Sequence, residues 1–278
     1  MIEKIKKILK SQFEIELFDS ALRNLEDEEN KLRYNNFAYS VRELSRHFLH
    51  SLSPENNVKS CSWYETLTDD DKPTRAQRIK YAIQGGMSDE LLTKNGFDIE
   101  ELKEVIKSTK DIISSLSKYT HINEDIFDIP KSEVDLKSKE VLEIFAEFVE
   151  TIDNYKQDLK SSLDGELDNH ILNEIIWATF NEVDILAPHH QIEYSEIEDY
   201  EIEEINNEFI TVSVNGNLNV TLEYGSKNER KSGDGLDLHE SFPFTGIIKY
   251  RIEVDFPSSN YEVEDLNVDT DSWYGEEE

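Results

Sequence analysis

The chain has 278 residues, 37% of them hydrophobic and 32% charged, enough for a sizeable buried core in one large or two modest domains. Its 61 acidic against 29 basic residues give a formal net charge of -32, so its surface repels polyanions on average. Nucleic-acid binding would require a local basic site, membrane association is disfavoured, and the single cysteine, Cys61, excludes an internal disulfide framework or a CxxC metal knuckle.

The first residues, "MIEKIKKILKSQF", are amphipathic and charged rather than the uninterrupted apolar run of a signal peptide. No stretch approaches the ~18 apolar residues of a spanning helix. With one cysteine and no such segment, a cytoplasmic location and no membrane partner are expected.

Up to about residue 190 the apolar residues recur at three and four, as in "ELKEVIKSTKDIISSLSKY" and "EVLEIFAEFVETIDNYKQDL", with charged outer faces. This is an α-helical region. From Lys31 to Ala82 it holds nine Lys/Arg and six Asp/Glu, a net of +3, which leaves -35 for the rest of the chain. A basic island in an acidic background is where phosphates would meet least repulsion.

Within the island the spacing predicts a helix over residues 32–52. At about 100° per residue, Phe37, Val41, Leu44, Phe48 and Leu52 form one apolar stripe that should pack on the core. On the other side Arg42, Arg46 and His50 follow at i, i+4 and i+8, with Glu43 and His47 as an i, i+4 pair beside them. A carboxylate, two imidazoles and two guanidiniums thus share one side. Histidine moves a proton near neutral pH, and arginine holds a phosphate and stabilises developing charge on it. Such a set can cleave RNA without metal or other cofactor, with His47 in proton transfer and Arg42 stabilising the transition state. It also suits an ordinary solvated helix bearing an ion pair.

The next segment adds cations. Thr74 is the expected N-cap of "RAQRIKYAIQ", Gly85 and Gly86 end that helix, and Ser88 starts another. Arg75 and Arg78 share a face, and Lys80 and Gln84 are expected to extend it into a nucleic-acid-binding surface, if not merely to neutralise acidic neighbours. Trp63 and Tyr64 in "CSWYETL" have the chemistry to stack a base, although such pairs are more often core. His121 ends a helical pattern, where it serves as a dipole partner or cap.

After "LAPHHQIEYSEIEDYEIEEI" the pattern changes to short β-branched runs, "FITVSV", "LNVTLEY" and "GIIKYRIEVDF". "SVNGNLNVTLEY" reads as a hairpin turning at Asn215-Gly216. His189, His190 and Glu193 have metal-ligand chemistry without a defined arrangement. "GSKNERKSGDGLDLHESFPF" reads as a loop carrying Lys227, Arg230 and Lys231. Glu223, Asp234 and Asp237, with Lys227, invite comparison with metal-dependent nucleases. The acidic runs "EYSEIEDYEIEEI" and "NYEVEDLNVDTDSWYGEEE" read as solvated faces or disordered ends, or as a tail that occupies the basic site.

"RELSRH" has the form R-x4-H, from Arg42 to His47, and resembles the motif of HEPN ribonucleases of prokaryotic defence and toxin systems. That resemblance implies a helical bundle, usually dimeric, with the two motif residues meeting their counterparts across a composite cleft. "NNFAYSVRELSRHFLHSLSP", followed by "TRAQRIKYAIQGGMSDELL" and a small β domain, is also similar in layout to predicted nucleases linked to prokaryotic Piwi-type defence loci.

The expectation is therefore an α+β protein: an N-terminal α-helical bundle over residues 1–190 and a small antiparallel β domain over 191–278, ending in an acidic tail. Its expected function is a metal-independent ribonuclease of a defence or toxin system, with catalytic residues Arg42, His47, Glu43, Arg46 and His50. RNA, a protein partner of a defence complex and a second copy of the chain are the expected partners. The alternative is a non-catalytic subunit that docks on a partner nuclease or helicase.

Overall fold

In a computed structural model, which describes residues 1–177, 181–257 and 260–275, the chain is helical first and β-stranded later. It divides into two compact units, Met1–Asp158 and Leu159–Glu278. The first strand begins at His189, so the change of secondary structure and the division into units fall at different places. No helix among the described residues is long and apolar enough to cross a membrane.

The first unit contains α1 (Ile2–Lys6), α2 (Gln12–Glu26), α3 (Arg33–Leu52), α4 (Glu55–Lys59), α5 (Arg75–Gln84), α6 (Asp89–Lys94), α7 (Ile99–Leu116) and the first part of α8 (Lys131–Trp177). The helix starts follow capping chemistry. Ser11 and Glu14 form a capping box on α2, Thr74 and Gln77 form another on α5, and the Asp98 carboxylate accepts from the Glu100 and Glu101 amides at the start of α7. The Gly85 backbone leaves α5 at φ 57°, a conformation open to glycine, so the helix stops where the sequence places its break.

Helix α3 is the central element. Phe37, Val41, Leu44 and Phe48 of the expected stripe are buried, and Leu52, at the last turn, is half-buried. Phe48 meets Phe145 edge-on at 5.7 Å and stacks on Phe148 at 6.3 Å, both from α8. Each such side chain contributes about 1.5–3 kcal/mol through burial, which fixes the rotation of α3 and hence the direction of its polar face.

In the second unit α8, from Leu159 on, lies against a four-stranded antiparallel sheet of order β1-β2-β3-β4, with a short α9 (Asn181–Asp184) before the first strand. The strands are β1 (His189–Ile205), β2 (Phe209–Tyr224), β3 (Leu236–Arg251) and β4 (Tyr261–Val268). Ile210, Val212, Val214, Leu218, Val220 and Leu222 alternate inward along β2 and are buried, as period two requires. Leu163, Leu167 and Ile171 of α8 are buried as well.

Two expectations for this unit are corrected. Asn215 and Gly216 do not form a turn: they lie within β2, paired with both β1 and β3. The chain reverses instead at Asn206–Glu208, where the Asn206 carboxamide oxygen accepts from the Glu208 and Phe209 amides, each at 2.8 Å. A glycine is needed at 216 for another reason, because a Cβ there would stand 2.1 Å from the Glu196 carbonyl oxygen and 2.9 Å from the Phe244 ring. The acidic run from Glu193 is a solvated face, as one of its readings had it: it forms strand β1, which keeps Tyr200 and Ile202 inside and its carboxylates outside. The expected loop after β2 contains a short helix, α10 (Lys227–Ser232), capped by Ser226 and Glu229 and ended by Gly233 at φ 86°. Residues Glu276 to Glu278 of the expected acidic tail lie outside the described residues.

Candidate functional site

The polar side of α3 and the first turns of α5 enclose a cleft of about 230 Å³, lined by Arg42, Glu43, Arg46, Leu49, His50, Pro73, Arg75 and Arg78. The spacing of four that unites Arg42, Arg46 and His50 on one side of α3 is the reason all three reach it. The Thr74 cap sets the start of α5 so that Arg75 and Arg78, three apart, reach it from the opposite wall.

Each guanidinium is held. Arg42 donates from Nε to the Ser117 hydroxyl at 3.1 Å and pairs with the Glu43 carboxylate at 2.9 Å. Arg46 takes the other Glu43 oxygen at 3.1 Å. Arg75 donates to the Ser114 hydroxyl at 2.9 Å. Arg78, only 5% exposed, donates to the backbone carbonyl of Ser53, while the Ser53 hydroxyl donates back to the Arg78 carbonyl at 2.6 Å. That exchange fastens the end of α3 to α5.

Neutralisation is incomplete. Four guanidiniums share Glu43 and, at 3.8 Å from Arg78, Glu55. Among the described residues Arg75 meets a hydroxyl and no carboxylate. Burial first, and then the charge of Arg42, lower the pKa of Arg75; burial lowers that of Arg78 against the opposing pull of Glu55. Both shifts come first from burial of the guanidinium, and only at Arg75 does a neighbouring cation add to it. His50 is affected in the same sense: burial, then Arg78 and Arg46, hold its pKa below the ordinary histidine value, with Glu55 opposing. Its imidazole is therefore neutral near pH 7 and able to accept a proton.

The structure brings Arg42, Glu43, Arg46, His50, Arg75 and Arg78 together and leaves the other expected residues elsewhere. His47 is outside the cleft lining. Five residues from Arg42 is about 140° around the helix, and the His47 ring meets the edge of Phe13 on α2 at 5.1 Å. Lys80 is turned to Asp89, at 2.7 Å, and lies over the Trp63 ring. Gln84 is 1% exposed and donates to the Met87 carbonyl at 2.6 Å, so it supports the α5–α6 connection and presents no surface. Trp63 donates to the Gly85 carbonyl and, with Tyr64, packs on Val58, Cys61 and Tyr81.

The remaining candidates do not line the cleft. His121 is exposed beyond the turn that follows α7. His190 faces Asp184 at 3.3 Å. Glu223 and Asp237 are cross-strand partners on β2 and β3, as a metal site would require, but the Arg230 guanidinium binds Glu223 and stands 3.6 Å from Asp237. Among the described residues no cluster of three or more His, Cys, Asp or Glu side chains is arranged to hold a metal ion.

Three residues escaped sequence reasoning, two of them at the cleft. Ser114 and Ser117 orient Arg75 and Arg42 across 39 and 75 residues of chain, and serines at the end of a helix carry no local signal of that role. His170, on α8 in the second unit, is 5% exposed, stacks on Tyr261 at 4.0 Å and shares a hydrogen bond with the Tyr250 hydroxyl at 3.1 Å.

The chain matches two family models that carry one description, predicted pPIWI-associating nuclease, over residues 6–145 and 152–274. The first match contains the whole cleft. No curated protein and no solved structure matches the chain.

Proposed function

The chain belongs to the family of predicted pPIWI-associating nucleases, and from that premise we propose that it cleaves RNA phosphodiester bonds in the arginine cleft, by proton transfer rather than through a metal. The observation that carries this reading is the gathering of four guanidiniums and an imidazole around one cavity in a chain of net charge -32. Two carboxylates nearby leave that cavity cationic.

The roles follow from position. Arg75 and Arg78 hold the scissile phosphate, and Arg42 and Arg46 stabilise the charge that grows on its oxygens. His50 takes the proton from the ribose 2'-hydroxyl. That oxygen attacks phosphorus, the bond to the 5'-oxygen breaks, and the departing oxygen takes a proton from water, leaving a 2',3'-cyclic phosphate and a free 5'-hydroxyl. His47 takes no part in this scheme, which separates it from a mechanism centred on the R-x4-H pair. The family description supports a Piwi-type protein as the partner, and a defence system is the setting proposed for the pair.

The test is cleavage of end-labelled single-stranded RNA by the full chain, alone and with its partner, in the presence of EDTA. Cleavage with cyclic phosphate ends, reduced ~10²- to 10⁴-fold in His50→Ala, is the expected result. Cleavage that EDTA abolishes and a divalent ion restores, or full activity in His50→Ala, overturns it. A protein that binds RNA or a partner through the cleft and never cleaves is the docking subunit instead.

A further inference from the structure

A second cavity, of about 490 Å³, opens between α7 and α8 in the first unit and shares Ser114 with the anchoring of Arg75. Its composition differs from that of the cleft. Lys118 and Lys137 are balanced by Asp111 and Glu140, so the cavity has no net charge to attract a phosphate. Its floor is aromatic: Tyr34 and Tyr119 meet edge to face at 4.8 Å, with the Lys118 and Lys137 ammonium groups 5.8 and 5.7 Å from the centre of the Tyr119 ring.

The serines give it directionality. Ser108 donates its hydroxyl proton to the Val105 carbonyl at 3.1 Å, and Ser115 donates to the Ile112 carbonyl at 2.7 Å. A serine whose proton is committed to its own helix presents only acceptor lone pairs to the cavity. The walls thus offer acceptors at Ser108, Ser115, Asp111 and Glu140 beside the Lys118 and Lys137 donors, so a ligand seated against the serines supplies donors there. A ribose, with 2'- and 3'-hydroxyls, and a base bearing an exocyclic amine do so, whereas a deoxyribose lacks the 2'-hydroxyl.

We propose that this cavity is the nucleoside subsite of the arginine cleft, seating the sugar and base next to the bound phosphate and favouring RNA over DNA through the 2'-hydroxyl. The inference rests on the reading of the cleft as a phosphodiester site. Ser114 joins the two: it lines the cavity, and its hydroxyl accepts from the Arg75 guanidinium, which lines the cleft. The volume falls within the ~300–1,000 Å³ of small-ligand sites.

The test measures the affinity of the full chain for a single-stranded RNA dodecamer, for the DNA of the same sequence and for pyrophosphate. Variants are Ser115→Ala, which removes one acceptor, and Ser108→Trp, which fills the cavity, each checked by circular dichroism. Both are expected to weaken RNA binding about five- to tenfold and to bring RNA and DNA affinities together, with pyrophosphate binding unchanged. Arg75→Gln is expected to weaken all three ligands. If Arg75→Gln loses RNA while folded Ser115→Ala retains the full preference for RNA over DNA, the subsite is refuted and the cleft stands. If the wild-type chain binds neither polymer, or if Arg75→Gln binds both as well as wild type, the reading of the cleft falls and the subsite falls with it.

Discussion

Arg42 and His47 stand five residues apart on one helix and serve different surroundings: Arg42 reaches the cleft and the Ser117 hydroxyl, while His47 packs on the ring of Phe13. The histidine beside the arginines in space is His50, eight residues from Arg42 and about 80° around the helix. The residue nearest in the motif is thus not the residue nearest to the site.

His47→Ala and His50→Ala should therefore behave differently. Loss of the His47 ring costs a contact with Phe13 worth about 0.5–1.5 kcal/mol and should lower thermal stability slightly while cleavage stays within about threefold of wild type. His50→Ala should lower cleavage by ~10²-fold or more and leave the melting temperature nearly unchanged, because that side chain lies off the apolar stripe of α3 and is only partly covered at the cleft. Parallel melting curves and single-turnover rates check both.

The pH profile of cleavage gives a second expectation. A general base acts in its unprotonated form, so the rate rises with pH through the pKa of His50, which burial, Arg78 and Arg46 place below the usual ~6.5. The acid limb should therefore lie under pH 6.5. In Arg46→Gln one cation is gone, and the limb should move upward towards 6.5. A limb that stays where it was would remove His50 from the role.

Stability should depend on pH through His170. Burial lowers its pKa, with the Glu166 carboxylate, 3.9 Å from Nε2, opposing; Tyr250 and Tyr261 complete its surroundings. A histidine whose folded pKa is depressed takes up its proton more readily when unfolded. Its contribution is fully present above ~6.5 and is lost as pH falls from there through the lower, folded value. Thermal melts of the full chain should lose stability between pH 7.5 and 5, and His170→Gln should flatten that dependence.

Gly216→Ala tests the sheet. The new methyl group would meet the Glu196 carbonyl oxygen at 2.1 Å, a backbone atom that moves only if β1 moves. Overpacking of this kind costs about 1–3 kcal/mol and occasionally more, so the melting temperature should fall by several degrees, with the cleft's binding of pyrophosphate unaffected. A variant as stable as wild type would mean that β1 and β2 separate there at little cost.

How far the sequence could be read depends on whether the relevant contacts are local. Helix α3 was legible almost to the residue because its apolar stripe and its terminal breaks lie within 20 residues, and the Thr74 cap and the Gly85 stop were legible for the same reason. The α+β order was legible from the change of period near residue 190. The Asn215-Gly216 dipeptide misled because a glycine admits both a tight turn and a close backbone approach, and only the pairing of β2 with β1 and β3 decides between them. In the site, the arginines were legible from their spacing. The partition of Lys80 and Gln84 away from it was not, because Asp89, Trp63 and Met87 claim those side chains through the turn between α5 and α6.

The most direct measurement of the central claim is the salt dependence of RNA binding by the full chain and by Arg75→Gln, titrated by fluorescence anisotropy. Each phosphate neutralised by a cation contributes about -0.7 to the slope of log K against log salt for a single strand. With the arginines of the cleft in contact, the wild-type slope should be about -2 to -3, and the substitution should weaken binding and make the slope shallower by about 0.7. Unchanged affinity and an unchanged slope in Arg75→Gln would show that nucleic acid does not occupy the cleft.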